Sequence, residues 1–261
     1  MSRERAQQYL LPALALLIFL LGWEALVRIK DIQPVILPAP SRIFATLVAD
    51  WGTLFGSLLV TLTITLEALA AATVGGVLLA LAFAQSKIAE RVFFPFAVIL
   101  QVTPVVSIAP LLLVYLTSGQ AVLVCSFLVA FFPILANTSL GLSSVDHNLL
   151  DLFQLYRASR WRQLLWLRIP AALPYFLGGL RIGGGLALIG AIVAEIAAGS
   201  AGKGAGLAFR IVESGYRLNI PRMFAALFLI AMTGIAIFIA LSALSSLLLR
   251  RWHDSARKRE T

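Results

Sequence analysis

A polytopic, all-α membrane fold with about six transmembrane helices is what this sequence predicts, and three observations carry it. Apolar residues make up 60% of the chain and charged residues 13%, with a mean hydropathy of +0.94, a balance outside the range of water-soluble domains. The apolar residues come in long blocks, and a helix needs roughly 20 of them to cross the hydrocarbon core. Short polar stretches marked by proline or glycine separate the blocks, as turns do. At 261 residues the chain reads as one membrane domain, 1–261.

The first apolar block, about Tyr9 to Val27, follows Arg3 and Arg5. A signal peptide has an apolar core of roughly 7–15 residues and a small-residue cleavage site. This run is longer and leads into Trp23, Glu24, Arg28 and Lys30, which predicts a retained span. In DIQPVILPAPSRIF, Pro34, Pro38 and Pro40 exclude regular helix, and Ser41 is placed to cap a short amphipathic segment with Ile43, Phe44, Leu47 and Val48. The second span is expected at about Leu58 to Phe83, followed by a polar turn from Gln85 to Arg91. The third, about Phe93 to Leu116, contains Pro104 and Pro110, which should kink or break it.

A tight turn at Thr117 to Gln120 leads to a fourth span that runs to about Leu142. The fifth covers about Leu173 to Ala198, with glycine at 178, 179, 183, 184, 185 and 190. Such small residues let helices approach closely in lipid. A glycine-rich basic loop, 199–222, precedes the last span, about Met223 to Leu249, and the tail RRWHDSARKRE. Trp23, Trp51 and Trp252 read as interface anchors.

Six spans put both ends on one side. With the ends inside, thirteen of the 21 Lys and Arg fall on that side and seven outside, with Arg181 within or near a span. That bias predicts both termini in the cytoplasm. It also explains the net charge of +9 without nucleic acid. Cys125 is the single cysteine and lies in an apolar run, so no intrachain disulfide can form.

The longest polar interruption is Asp146 to Pro174, DHNLLDLFQLYRASRWRQLLWLRIPAALP. Leu149, Leu152, Phe153 and Tyr156 share one helical face, while His147, Asp151 and Gln154 fall on another. Asp146 is placed to cap that helix. A second short helix should start at Ser159, align Trp161, Leu164, Leu165 and Arg168, and stop before Pro170. Two short amphipathic helices thus meet near Arg157. Such a knuckle either lies on the membrane surface or inserts apolar side chains into a partner.

This stretch resembles the cytoplasmic coupling segment of importer-type ABC permeases, whose pattern reads Glu-Ala-Ala, then Gly, then Ile-x-Leu-Pro. Asp151-Leu152-Phe153 stand where Glu-Ala-Ala would, Arg157 where Gly would, and Leu167-Arg168-Ile169-Pro170 where Ile-x-Leu-Pro would. ILPAPSRIFATL at 36–47, QVTPVVSIAPLL at 101–112, FFPILANTSLGLSSVD at 131–146 and GLALIGAIVAEI at 185–196 extend the resemblance, most closely to the nitrate/sulfonate/taurine branch. A left-handed hinge at a non-glycine costs about 1–2 kcal/mol, so with Arg157 the turn is expected to be built differently.

The resemblance implies a permease subunit of an ATP-driven importer, working by alternating access in the bacterial cytoplasmic (inner) membrane. It implies a homodimer, two cytoplasmic ATPase subunits and an extracytoplasmic solute-binding protein, with no nucleic-acid partner. ATP and Mg would sit on the ATPase, and no cofactor on this chain, which would not itself be an enzyme. The coupling segment would be 146–170, acting through Leu149, Asp151, Leu152, Phe153, Tyr156, Arg157, Ala158 and Ser159. The branch is associated with small anionic or heterocyclic solutes: sulfonate and taurine, nitrate, bicarbonate, pyrimidine types.

Other motifs are weaker. A P-loop reading of GSAGKGAG at 199–206 fails, because Ala197 stands at the first glycine position and Gly204 at the hydroxyl position. Gln101, Thr103 and Ser107 accompany the prolines of the third span and, with Asn137, are candidates for a pathway wall; plain helix–helix hydrogen bonding is the alternative. Glu67 and Glu195 lie in apolar spans, where a charge costs about 2.5–3.5 kcal/mol and usually faces a cavity or a partner such as Arg181. An ion-coupled carrier or channel using Glu67 and Glu195 is therefore the alternative function. A membrane enzyme would need a polar catalytic cluster, and neither His147, His253 nor any carboxylate group has metal-ligand spacing.

Overall fold

The computed structural model describes residues 3–199 and 204–250, with side chains from Leu10 onward. The side chains of Arg3 and Arg5, Lys203, and the tail with Trp252 and His253 lie outside the described residues, as does half of the 199–206 loop.

Eleven α-helices and one π-helical turn make up the described chain. Five helical rods are long and apolar enough to span: α1 (Arg3–Ile29, apolar from Leu10), α3 (Trp51–Gln85), α6 (Ser118–Ser143), the rod Arg160–Ala198, and α11 (Ile220–Leu249). One further pair is either a broken sixth span or a re-entrant loop. Helices α4 (Lys87–Val102) and α5 (Val105–Leu112) meet at 94° across Thr103 and Pro104. Pro104 has no N–H to continue the ladder and disfavours helix at Thr103. Pro110, by contrast, stays inside α5.

The centre of the bundle is the α6–α9 pair, where α9 is Ile169–Ala198. A Cβ on Gly190 would stand 2.9 Å from Ser126 Cα, and one on Gly141 2.8 Å from Ala172 Cα, so only glycine allows this approach. The backbones are then close enough for Ser126 Oγ–H to donate to Ala187 O at 2.7 Å. Dispersion between close backbones and such bonds replace the hydrophobic drive that lipid removes. Leu69, Ala130, Ile134, Leu177 and Ala187 fill the core around the pair. Helix α1 is almost uncovered: 6% of its apolar stretch is buried, and Trp23 meets Phe224 of α11 edge-on (5.9 Å).

Four local expectations need correction. Ser41 does not cap helix α2 (Pro40–Ala49); Ala39 takes that position. Ser41 instead donates its N–H (3.0 Å) and Oγ–H (2.7 Å) to Glu24 of α1, a carboxylate at a helix start where the macrodipole favours it. Thr117 to Gln120 is no free turn but the start of α6, where Gln120 Oε1 accepts from Thr117 N–H. The loop 199–222 contains helix α10 (Leu207–Tyr216).

Pro170, finally, does not end the second helix of the knuckle. Helix α8 (Arg160–Gln163) runs through a π-helical turn, Leu164–Arg168, directly into α9. There Ile169 N–H donates to Leu164 O, five residues back. The wider turn absorbs the bond that Pro170 cannot make and keeps its ring off the preceding turn.

Candidate functional site

The knuckle is helix α7 (His147–Leu155), a left-handed corner and α8. Asp146 Oδ1 accepts from Asn148 N–H at 2.8 Å and starts α7, as its position in the sequence indicates. The helix ends where Ala158 N–H donates to Phe153 O (2.9 Å) across Arg157, a six-residue closure of Schellman type. Arg157 itself has φ +50°. The corner is thus built in the glycine-like way after all, with an arginine carrying the strain. Ser159 Oγ then accepts from Arg162 N–H (3.4 Å), and Gln163 Nε2 donates to Ala158 O (3.1 Å), which starts α8 and pins it to the corner.

Substituting Arg157 by glycine therefore relieves the left-handed strain and returns some of it as unfolded-chain entropy. The expected net is a stabilisation of at most about 1 kcal/mol, read as a higher midpoint of detergent-solubilised unfolding.

No residue of α7 is buried. Leu149 and Leu152 are 46% and 45% exposed, and Leu155 and Tyr156 each 81%. Phe153, expected on the outward face, is half-buried. Leu155 takes its place on the surface, a residue the face assignment from spacing passed over. Trp161 and Trp166 of the second arm are also exposed. Asp151 is exposed and makes no ion pair among the described residues. An apolar row with a free carboxylate beside it projects from the end of the bundle. Arg168 Nη1, donating to Ala84 O of α3 at 3.5 Å, ties the knuckle to the spans.

The five candidate pathway residues do not form one wall. Gln101 and Thr103 line a cavity of about 130 Å³ at the α4–α5 break, against Pro133 and Leu186. Ser107 is exposed on α5. Asn137 lines a far larger cavity, about 1,040 Å³, between α6, α9 and α11. Glu195 is elsewhere: 2% exposed, at the opposite end of α9 from the knuckle. Glu67 is exposed midway along α3, and neither glutamate pairs with Arg181.

Glu195 holds α10 in place. Thr61 Oγ1–H donates to Glu195 Oε1 (2.7 Å), Ala208 N–H donates to Oε2 (3.0 Å), and Leu207 N–H donates to Thr61 Oγ1 (2.9 Å). The carboxylate and the Thr61 hydroxyl that it orients thereby satisfy the first two amides of α10, where the helix dipole is positive. A Cβ on Gly206 would collide with the Glu195 carboxylate, which is why a glycine precedes this helix. Nothing local in the sequence signals the clamp, because its halves come from different spans.

Farther along α10, Arg210 Nη1 donates to Glu213 Oε2 (2.8 Å) and Arg217 Nη2 lies 3.0 Å from Oε1. The Arg210 hydrogen bond, helped by the nearby Arg217 and Arg222 charges, holds the Glu213 carboxyl below its ordinary 4.5. A depressed folded value means stability that is present above about pH 4.5 and lost as pH falls through the folded value. Glu213→Gln should flatten that acid limb of the unfolding midpoint while leaving the neutral-pH transport rate intact.

Residues 72–259 match the family model described as binding-protein-dependent transport system inner membrane component. The chain is 34% identical over 249 residues to the formylaminopyrimidine transport permease protein ThiX of Halalkalibacterium halodurans, covering 94% of this chain and 97% of that one. It is 31% identical to the riboflavin transport system permease protein RibX of Chloroflexus aurantiacus, covering 95% and 94%. A solved structure described as an amino acid ABC transporter with histidines superposes with a TM-score of 0.63 at 21% identity, over 80% of this chain and 98% of that one. That last likeness speaks to the fold alone.

Proposed function

Because the chain belongs to the binding-protein-dependent transport system inner membrane component family, and so is a permease subunit of an ABC importer, we propose that it moves a small anionic or heterocyclic solute into the cytoplasm by alternating access driven by ATP hydrolysis on separate subunits. The uncovered apolar row of α7 carries this reading. Leu149, Leu152 and Tyr156 fit a cleft on an ATPase, with Asp151 facing a basic residue there and Arg157, Ala158 and Ser159 holding the angle between the arms. In that arrangement ATP and Mg are bound by the partner. Closure of the ATPase pair drags the knuckle, and the rigid 39-residue rod from Arg160 to Ala198 carries the displacement into the spans.

Two observations support pairing with a second copy. Glu67 stands on the outward face of α3 midway through the span, where lipid contact costs about 2.5–3.5 kcal/mol. Helix α1 also leaves nearly its whole apolar stretch without cover. Counted as six crossings, the spans would return α11 to the side where α1 begins, which on this reading is the knuckle side and the cytoplasm of a bacterial inner membrane. The ion-coupled carrier loses support, since Glu195 is committed to Thr61 and Ala208. Gln101, Thr103 and Asn137 remain candidates for the solute path, and a solute-binding protein would deliver to the α10 end.

The test is reconstitution with the ATPase subunit and binding protein in proteoliposomes. Uptake is expected only with ATP present. Uptake driven by a proton or ion gradient in the absence of the ATPase would overturn the assignment.

A further inference from the structure

The cavity between α6, α9 and α11 holds a cation that no carboxylate balances among the described residues. Arg181 stands roughly 18 Å along α9 from Ile169 at 1.5 Å per residue, well inside the span. Its guanidinium lies over the Phe238 ring, 5.9 Å from the centroid. Its Nε is shut off from solvent without an acceptor, and Ser242 Oγ, on the same cavity wall, is likewise buried without a partner. No carboxylate pairs with Arg181 among the described residues. Glu195, on the same helix, is roughly 21 Å farther along by the same rise and fully engaged.

A charge at this depth ordinarily pairs or faces a cavity that something fills. Here the cavity measures about 1,040 Å³ and also carries Asn137, Tyr175 and Ser245, with Arg250 at its edge. The wall is therefore rich in donors and cationic, with no acid among its described residues. We propose that this cavity is an anion site, in which Arg181 receives the oxygens of a carboxylate, sulfonate or phosphate group. A guanidinium presents a planar fork that matches two such oxygens. Phe238 fixes the plane of the fork from one face, and Ser242 Oγ–H supplies a further donor. The inference rests on the transport reading and narrows it: the group accepted inside the membrane domain is anionic. The anion is either a solute in transit or the headgroup of an anionic lipid, since both present the same oxygens.

The experiment uses the full chain in phosphatidylcholine nanodiscs. Its thermal midpoint is followed against sodium ethanesulfonate, with sodium chloride at equal ionic strength as the control. The expected result is a rise of about 3 °C or more at saturation, absent in Arg181→Gln and partly kept in Arg181→Lys. If ethanesulfonate is silent but replacing part of the phosphatidylcholine by phosphatidylglycerol raises the midpoint, and Arg181→Gln removes that rise, the same anion chemistry holds with lipid as its source. Equal responses of wild type and Arg181→Gln in both arms overturn the site. Should Arg181→Gln not fold, Ser242→Ala decides: a several-fold weaker ethanesulfonate response supports the site, an unchanged one overturns it. ATP dependence of uptake is measured separately. Its loss alongside a retained anion response would sink the transport reading and leave the site standing.

Discussion

Leu152→Asp should break transport while sparing the membrane domain. The side chain lies in the middle of the exposed α7 row, is 45% exposed and touches no buried core, so folding and insertion lose little. Docked in an apolar cleft, the same position would have to bury a carboxylate. The lost leucine burial alone is about 1.5–3 kcal/mol, and desolvating the new charge adds several more. Docking should weaken by at least about a hundredfold. In proteoliposomes this reads as uptake near background, with the ATPase subunit no longer co-purifying and any residual hydrolysis indifferent to solute. Wild-type uptake in Leu152→Asp would remove α7 from the coupling path.

The second large effect falls at the opposite end of the bundle. Glu195→Ala removes an acceptor from Thr61 and from Ala208 N–H at once and leaves a void in a site that is 2% exposed. An orphaned buried donor costs about 1–3 kcal/mol, and two donors with a cavity should together cost about 3 kcal/mol or more. The loss should concentrate in α10, where Ala208 N–H loses its acceptor and the Thr61 hydroxyl that holds Leu207 N–H loses its anchor, and appear as faster amide exchange there before the spans open. Glu195→Gln keeps the shape and one acceptor, so it should recover about half of that stability. Gly206→Ala should mimic the alanine variant from the other side, by driving a methyl group into the carboxylate. An unfolding midpoint for Glu195→Ala equal to wild type would show that the clamp does not hold α10.

Together the two variants separate the ends of one mechanism. The first acts where force would enter the domain, and the second acts where α10 closes the far end over the spans. A defect in transport with normal folding belongs to the first; a defect in folding that drags transport with it belongs to the second.

Much of this was legible in the chain itself. Hydropathy located the spans, because each needs only its own run of apolar residues. Pro104 marked the break between α4 and α5, and Asp146 the start of α7, because a missing N–H and a capping carboxylate act within one turn. The resemblance at Asp151, Arg157 and Pro170 named the family from a short stretch. Three things were decided only by the fold. The corner at Arg157 is left-handed because the two arms, one of them fused through a π-turn to α9, must meet at that angle, whatever residue stands there. Phe153 is half-buried and Leu155 exposed because the surroundings, not the helix period, choose which side of α7 is covered. Glu195 meets Thr61 across 134 residues, and Arg181 meets no acid among the described residues. A single sequence records which charges a membrane domain carries; only the packing of its helices determines which of them are answered, since partners from different spans share no local pattern.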